Sequence, residues 1–245
     1  MVQTTLPGGP RQYLRIFRHH VVEPISDAQS RVSREREEVA AERSAFESFR
    51  TAVSDLRPAT ATPSNRQRSV VSGDDCLNQV ERLADAFEST VMSVPHYEAV
   101  YGESLSEHML AELGDFTAAV VDSSTSTVTP HQRSALLTAV DCAIDDRTAY
   151  ADVLDEEATA LATAGSAIKE IVESLDDVII QDWYKEEFEV RLDEIVRDRQ
   201  SVIHSRISPS PVDGRSLCMH LYADQPWTFP VLTAVTRLHD AVVVE

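Results

Sequence analysis

The chain has 245 residues, 41 of them acidic and 22 basic, for a formal net charge of −19. Only two of the bases are lysine, Lys169 and Lys185. That length can bury a substantial core in one or two domains, and no apolar run is long enough to span a bilayer.

An acidic surface that prefers arginine to lysine suits a cytoplasm at molar salt. There the Debye length falls to about 3 Å and carboxylate self-repulsion is screened. The host is therefore read as a halophile and the location as cytoplasmic. No signal-peptide core opens the chain, because Arg11, Arg15 and Arg18 interrupt every apolar window. Charge is unevenly spread: residues 1–73 hold eleven bases and eight acids, whereas residues 74–245 hold eleven bases and thirty-three acids. The three cysteines, Cys76, Cys142 and Cys218, have neither zinc-site nor redox-motif spacing and read as bland thiols.

Residues 1–23 read as a flexible basic tail. After Pro7-Gly8-Gly9-Pro10 come Arg11, Tyr13, Arg15, Phe17, Arg18, His19 and His20. Arginines between aromatics can contact nucleic acid. Docking of Tyr13, Leu14 and Phe17 on the chain's own acidic bundle is the simpler role, and high salt weakens phosphate binding steeply. Residues 24–245 then read as one helical-bundle domain.

A long helix is expected from Ser26 to about residue 56, opened by the capping box Ser26/Gln29. Its inward stripe is Ile25, Ala28, Val32, Glu35, Val39, Glu42, Phe46, Phe49, Val53 and Leu56. Residues 57–73, with two prolines and many small polar side chains, read as a mobile linker. A second helix spans about Asp74–Val94, with Leu77, Val80, Leu83, Ala84, Phe87, Val91 and Val94 on one face, and Pro95 stops it. A polar insert follows, and then a capping box at Ser104 and Glu107 opens a helix presenting Leu105, Met109, Leu113, Phe116 and Val120.

The longest element is expected over about 130–179, with Thr129 as cap and Pro130 at the first helical position. Its inward positions step by three and four: Leu137, Val140, Ile144, Arg147, Ala151, Leu154, Ala158, Leu161, Gly165, Ile168, Val172, Leu175 and Ile179. Only Arg147 and Gly165 break the apolar rule. A heptad of this length implies a rod of about 70 Å if continuous. Tyr184, Phe188, Leu192, Ile195 and Val202 mark a further helix over Asp182–Ile207. Two short ones follow at Ser216–Tyr222 and Thr228–Val243, with Trp227 and Phe229 as anchors. No useful strand alternation occurs. The fold class is all-α, an elongated bundle of about six helices built around the two long ones.

Reactive constellations are sparse. Acid pairs at helical spacing, such as Glu81/Asp85 and Asp141/Asp145, are what so acidic a composition supplies by chance, and they read as solvated faces. No Glu-x-x-His pair of a di-metal bundle, no phosphate loop and no nucleophile elbow is present. His108 with Glu107 and Glu112 comes nearest to a ligand patch, and reads more simply as a surface histidine at a helix start. The best candidate ligand site gathers His96, Tyr97, Glu98, Tyr101 and Glu103 in the 95–108 insert, with Trp227 from the C-terminal aromatic cluster. Tyr97 and Tyr101 capping the bundle end is the competing role.

The segments Val94-Pro95-His96-Tyr97-Glu98, Tyr101-Gly102-Glu103, Glu107-His108, Leu217, Leu221-Tyr222-Ala223-Asp224, Trp227 and Pro230-Val231-Leu232 resemble an all-helical family of halophilic archaea, a domain of unknown function. The resemblance runs from about Val22 to Leu238. It implies the all-helical fold and a halophilic host, and it brings no catalytic residue.

The expected role is a non-enzymatic interaction or scaffolding protein, self-associating or meeting a protein partner through the helical faces of residues 25–56 and 137–179. No cofactor, metal or membrane enters it. The alternatives are a small-ligand sensor with a pocket near the 95–108 insert and, less favoured, a carboxylate-metal helical-bundle enzyme.

Overall fold

The computed structural model describes residues 10–56, 79–114, 127–174, 182–205 and 214–243. Among them are eight α-helices and no strand. These are α1 (Pro10–Asp55), α2 (Gln79–Thr90), the single turn α3 (Tyr97–Val100), α4 (Leu105–Leu113), α5 (Pro130–Ser174), α6 (Asp182–Ser205), α7 (Gly214–Leu221) and α8 (Pro230–Val243). The all-α expectation holds. The three C-terminal helices fall where they were expected, and the polar insert adds a helical turn of its own. The 57–73 linker, Cys76, Phe116, Val120, Leu175 and Ile179 lie outside the described residues.

Contacts group the chain into two compact units. One comprises Met1–Glu35 with Val153–Glu245, the other Arg36–Asp152. Both long helices contribute a part to each unit.

The stripe of α1 is buried residue by residue as its heptad spacing requires. Ile25, Ala28, Val32, Val39, Phe46, Phe49, Val53 and Leu56 are all buried. This face is covered within the chain itself.

The helix begins at Pro10, sixteen positions before the Ser26 capping box, and passes through Pro24. A proline inside a helix leaves the carbonyl four residues back without its donor. Here that carbonyl belongs to His20, and Arg237 of α8 donates to it through Nη1 at 2.6 Å. A tertiary contact thus fills the gap that made Ser26 look like a start, and Ser26 instead accepts a hydrogen bond from Ser30 Oγ through its own carbonyl.

Helix α5 runs unbroken through Arg147 and Gly165. Thr129 caps it as expected: its Oγ1 accepts from the Gln132 amide at 3.2 Å, and Gln132 Oε1 accepts from the Thr129 amide at 2.8 Å. Five of the expected inward positions are buried, namely Val140, Leu154, Leu161, Ile168 and Val172, and Arg147 is half-buried between them. Four further buried positions, Leu136, Ala143, Glu157 and Ile171, each lie one residue before an expected one. This offset brings Glu157 onto the buried seam where the apolar pattern favoured Ala158.

In the second unit, Phe46, Phe49 and Val53 of α1 pack with Leu83 and Phe87 of α2, Met109 and Leu113 of α4, and Leu136 and Val140 of α5. The ring of Phe87 meets those of Phe49 and Phe46 edge-on, with centroids 5.0 and 6.3 Å apart. Arg133 donates to the Val53 carbonyl at 3.1 Å and to that of Ser54, satisfying acceptors in the last turn of α1. Gln79 is buried and accepts the Val128 amide at 2.9 Å, fixing the entry into α5.

In the first unit, Ile25 and Val32 of α1, Leu161 and Ile168 of α5, Phe188 and Leu192 of α6, Leu217 of α7 and Val231 and Leu238 of α8 are buried. Gly165 allows α1 to come close here. A Cβ at that position would lie 3.2 Å from Ile25 Cγ2. Gly165→Leu is therefore expected to destabilise by about 1–3 kcal/mol through overpacking. Urea unfolding measures it, and an unchanged midpoint would show that the two helices have room to spare.

Candidate functional site

The insert that gathers aromatic and polar groups begins where α2 ends. A 3₁₀ turn at Val91–Ser93 leads to Val94, which is extended before Pro95, and α3 follows at once. Gly102, at φ +56°, turns the chain, and the expected capping box opens α4. Ser104 Oγ accepts from the Glu107 amide at 3.4 Å, and Glu107 Oε2 accepts from the Ser104 amide at 3.0 Å.

These turns deliver two groups to one carboxylate, Glu42 of α1, and α5 supplies a third. His96 Nε2 lies 2.9 Å from Glu42 Oε1, and Tyr101 donates its hydroxyl to the same oxygen at 2.9 Å. Arg147 of α5 donates Nε to Glu42 Oε2 at 2.9 Å and Nη1 to Glu112 Oε2 at 2.9 Å. Its guanidinium carbon sits 4.3 Å from the Phe46 ring centroid, a cation–π contact. Arg147, the first break in the α5 stripe, thus has two carboxylates and an aromatic face.

Rings fill the space beside this cluster. His108 meets Tyr101 at 4.8 Å, Tyr97 at 5.0 Å and Phe87 at 5.8 Å between centroids. The sequence placed His108 at the surface; it is buried, with Nδ1 3.0 Å from Glu103 Oε2. Its proposed companions diverge, Glu107 to Ser104 and Glu112 to Arg147. Tyr97 is buried and donates to the Glu103 carbonyl at 3.2 Å. Glu98 is exposed. Burial, then the charge of Glu42 and the bond to it, raises the Tyr101 pKa and keeps the phenol neutral. Burial opposes the charge on Arg147, but Glu112 and Glu42 outweigh it and its pKa is raised.

Trp227 belongs to the other unit, where it is buried with its ring 5.4 Å from that of Tyr222. There the structure assembles a polar cluster that the apolar pattern passed over. Arg199 of α6 donates Nη1 to Glu157 Oε2 at 2.9 Å and Nη2 to Glu157 Oε1 at 2.7 Å, a bidentate pair. Tyr222 donates to Glu157 Oε1 at 2.9 Å, and Cys218 Sγ accepts from Arg199 Nη2 at 3.5 Å. Glu157 is 0% and Arg199 3% exposed, so neither charge is shared with solvent. Burial works against the Arg199 charge, but Glu157 more than offsets it and the pKa is raised.

One signal for this pair was present. The α6 stripe stepped from Ile195 to Val202, and the heptad position between them is Arg199.

Beside the pair, α5 and α6 enclose a groove of about 670 Å³. Ala160, Ala164, Ala167, Ile195 and Val202 form its apolar lining, and Arg199 is also part of the wall. Among the described residues, no group of three or more His, Cys, Asp or Glu side chains is placed to hold a metal ion.

The Tyr222 hydroxyl makes the cluster sensitive to alkali. Burial first, then the Glu157 charge, raises its pKa far above the ordinary tyrosine range. The folded chain therefore keeps this proton where the unfolded chain loses it, above pH about 10. The stabilisation is full below that pH and declines as pH rises, by about 1.4 kcal/mol per unit. Tyr222→Phe should flatten the alkaline limb while costing about 1–3 kcal/mol at neutral pH. Urea midpoints from pH 8 to 11 measure both effects, and parallel curves for the two proteins would contradict it.

No helix among the described residues is long and apolar enough to cross a membrane. No curated protein and no solved structure matches the chain. A family model described as Domain of unknown function (DUF7260) matches residues 23–244, nearly the whole length, and the chain belongs to that family.

Proposed function

We propose that the chain is a helical interaction protein that is bound by a partner and does not turn over a substrate. The observation behind this is the state of the most reactive-looking groups: His96, Tyr101 and Arg147 all hold Glu42, and their hydrogen bonds brace helices. A catalytic group must instead be within reach of a substrate proton or bond. The apolar stripes are covered, so the partner meets the charged outer faces of the helices and a few isolated apolar residues. Val100, Leu110, Val190 and Met219 are exposed large apolar side chains among the described residues.

The proposed setting is the cytoplasm of a halophilic archaeon. The net charge of −19 with only two lysines supports it, because molar salt screens a field that would otherwise oppose compaction. Two measurements test this. The melting temperature should rise by roughly 5 °C or more between 0.2 and 2 M KCl, corresponding to about 2 kcal/mol. A flat or falling trend would contradict the halophilic setting. Affinity capture of tagged chain in 2 M KCl, with cross-linking, should recover one polypeptide in stoichiometric amount. A chain that returns alone, and is monomeric by light scattering, would overturn the interaction role.

A further inference from the structure

Helix α1 passes through a proline, and the compensation for it comes from the other end of the chain. Pro24 has no amide proton, so of the four backbone bonds that would join residues 17–20 to residues 21–24 the last is missing. Its ring also presses on the carbonyl four residues back, and helices bend at such sites. Arg237 of α8 donates Nη1 to that carbonyl, of His20, at 2.6 Å. The same nitrogen lies 3.9 Å from Glu23 Oε2, so the two contacts bracket the proline. A guanidinium bond of this kind is stronger than the neutral one it replaces.

Burial changes at the same place. Val21, Ile25 and Ala28 are at most 1% exposed. Before them, Phe17 and Arg18 are half-buried and His19 and His20 are exposed. Packing therefore grips α1 from Val21 onward. The residues before it lean more on the backbone ladder, where that ladder has lost a rung.

We propose that Pro24 is a hinge and Arg237 its latch: with α8 docked, Arg237 holds residues 10–20 in line with the rest of α1, and opening of the contact lets that segment swing away. The segment carries Arg11, Arg15 and Arg18. Seating of the C-terminal helix thereby controls where the basic run is presented. The device does not depend on the interaction role.

Amide hydrogen exchange of the full chain, read residue by residue by NMR, tests it. Arg237→Met removes the donor. Exchange at residues 14–20 should then speed up by roughly tenfold, the equivalent of one hydrogen bond to a charged group, while amides of α8 and of α1 beyond Ile25 keep their rates. Pro24→Ala returns an amide proton that can bond the His20 carbonyl. On that background Arg237→Met should change exchange by less than about twofold. Circular dichroism monitors folding, and Arg237→Ala takes the place of Arg237→Met if that variant loses helix. Unchanged exchange in Arg237→Met would overturn the proposal. So would an equal effect on both backgrounds, which would mean that Arg237 acts through packing. Faster exchange throughout α8 would also overturn it, because the helix itself would have come undocked.

Discussion

A carboxylate with no exposed surface must find a cation or lose its charge, and the first unit meets that demand with one contact between α5 and α6. Desolvation of two ions costs several kcal/mol, which only close, well-aligned bonds can repay. Glu157 and Arg199 make two bonds end to end, and Tyr222 and Cys218 occupy further positions around them. The geometry tolerates little displacement, so it fixes the register of α5 against α6 and places α7 and the turn after it.

The second unit uses the same device with a different hub. Glu42 on α1 meets three side chains, two flanking α3 and one on α5, and Arg147 carries the link on to Glu112 of α4. The residues that look reactive in sequence are therefore those that orient short helices around long ones. A cluster satisfied in this way specifies a single arrangement, whereas one left half satisfied would weaken the fold.

Much of this was legible in the residue pattern, with particular exceptions. The α1 stripe could be read from Ile25 onward, including Glu35 and Glu42, because large apolar residues set its phase, whereas the buried Val21 before it was missed. In α5 adjacent residues compete for three seam positions: Leu136 with Leu137, Ala143 with Ile144, and Glu157 with Ala158. Choosing the more apolar or later member of each pair hid Glu157, since only the opposing helix decides between neighbours. The start of α1 was hidden for a related reason. Pro24 beside Ser26 looks like a boundary, and the contact that cancels it comes from Arg237, more than two hundred residues away in sequence. Among the candidate site residues, the grouping of His96, Tyr97, Tyr101 and Glu103 could be read from local spacing; Trp227 belongs to a different cluster, and its partner Tyr222 leads to Glu157.

The dependence of the first unit on its buried pair is tested most directly by a double-mutant cycle with Glu157→Met, Arg199→Met and both together, followed by urea unfolding. Each single change strands a buried charge and should cost about 3–5 kcal/mol, whereas the double change should recover most of that loss. Losses that simply add in the double variant would mean that the two side chains act independently and that the register of α5 against α6 is held by something else.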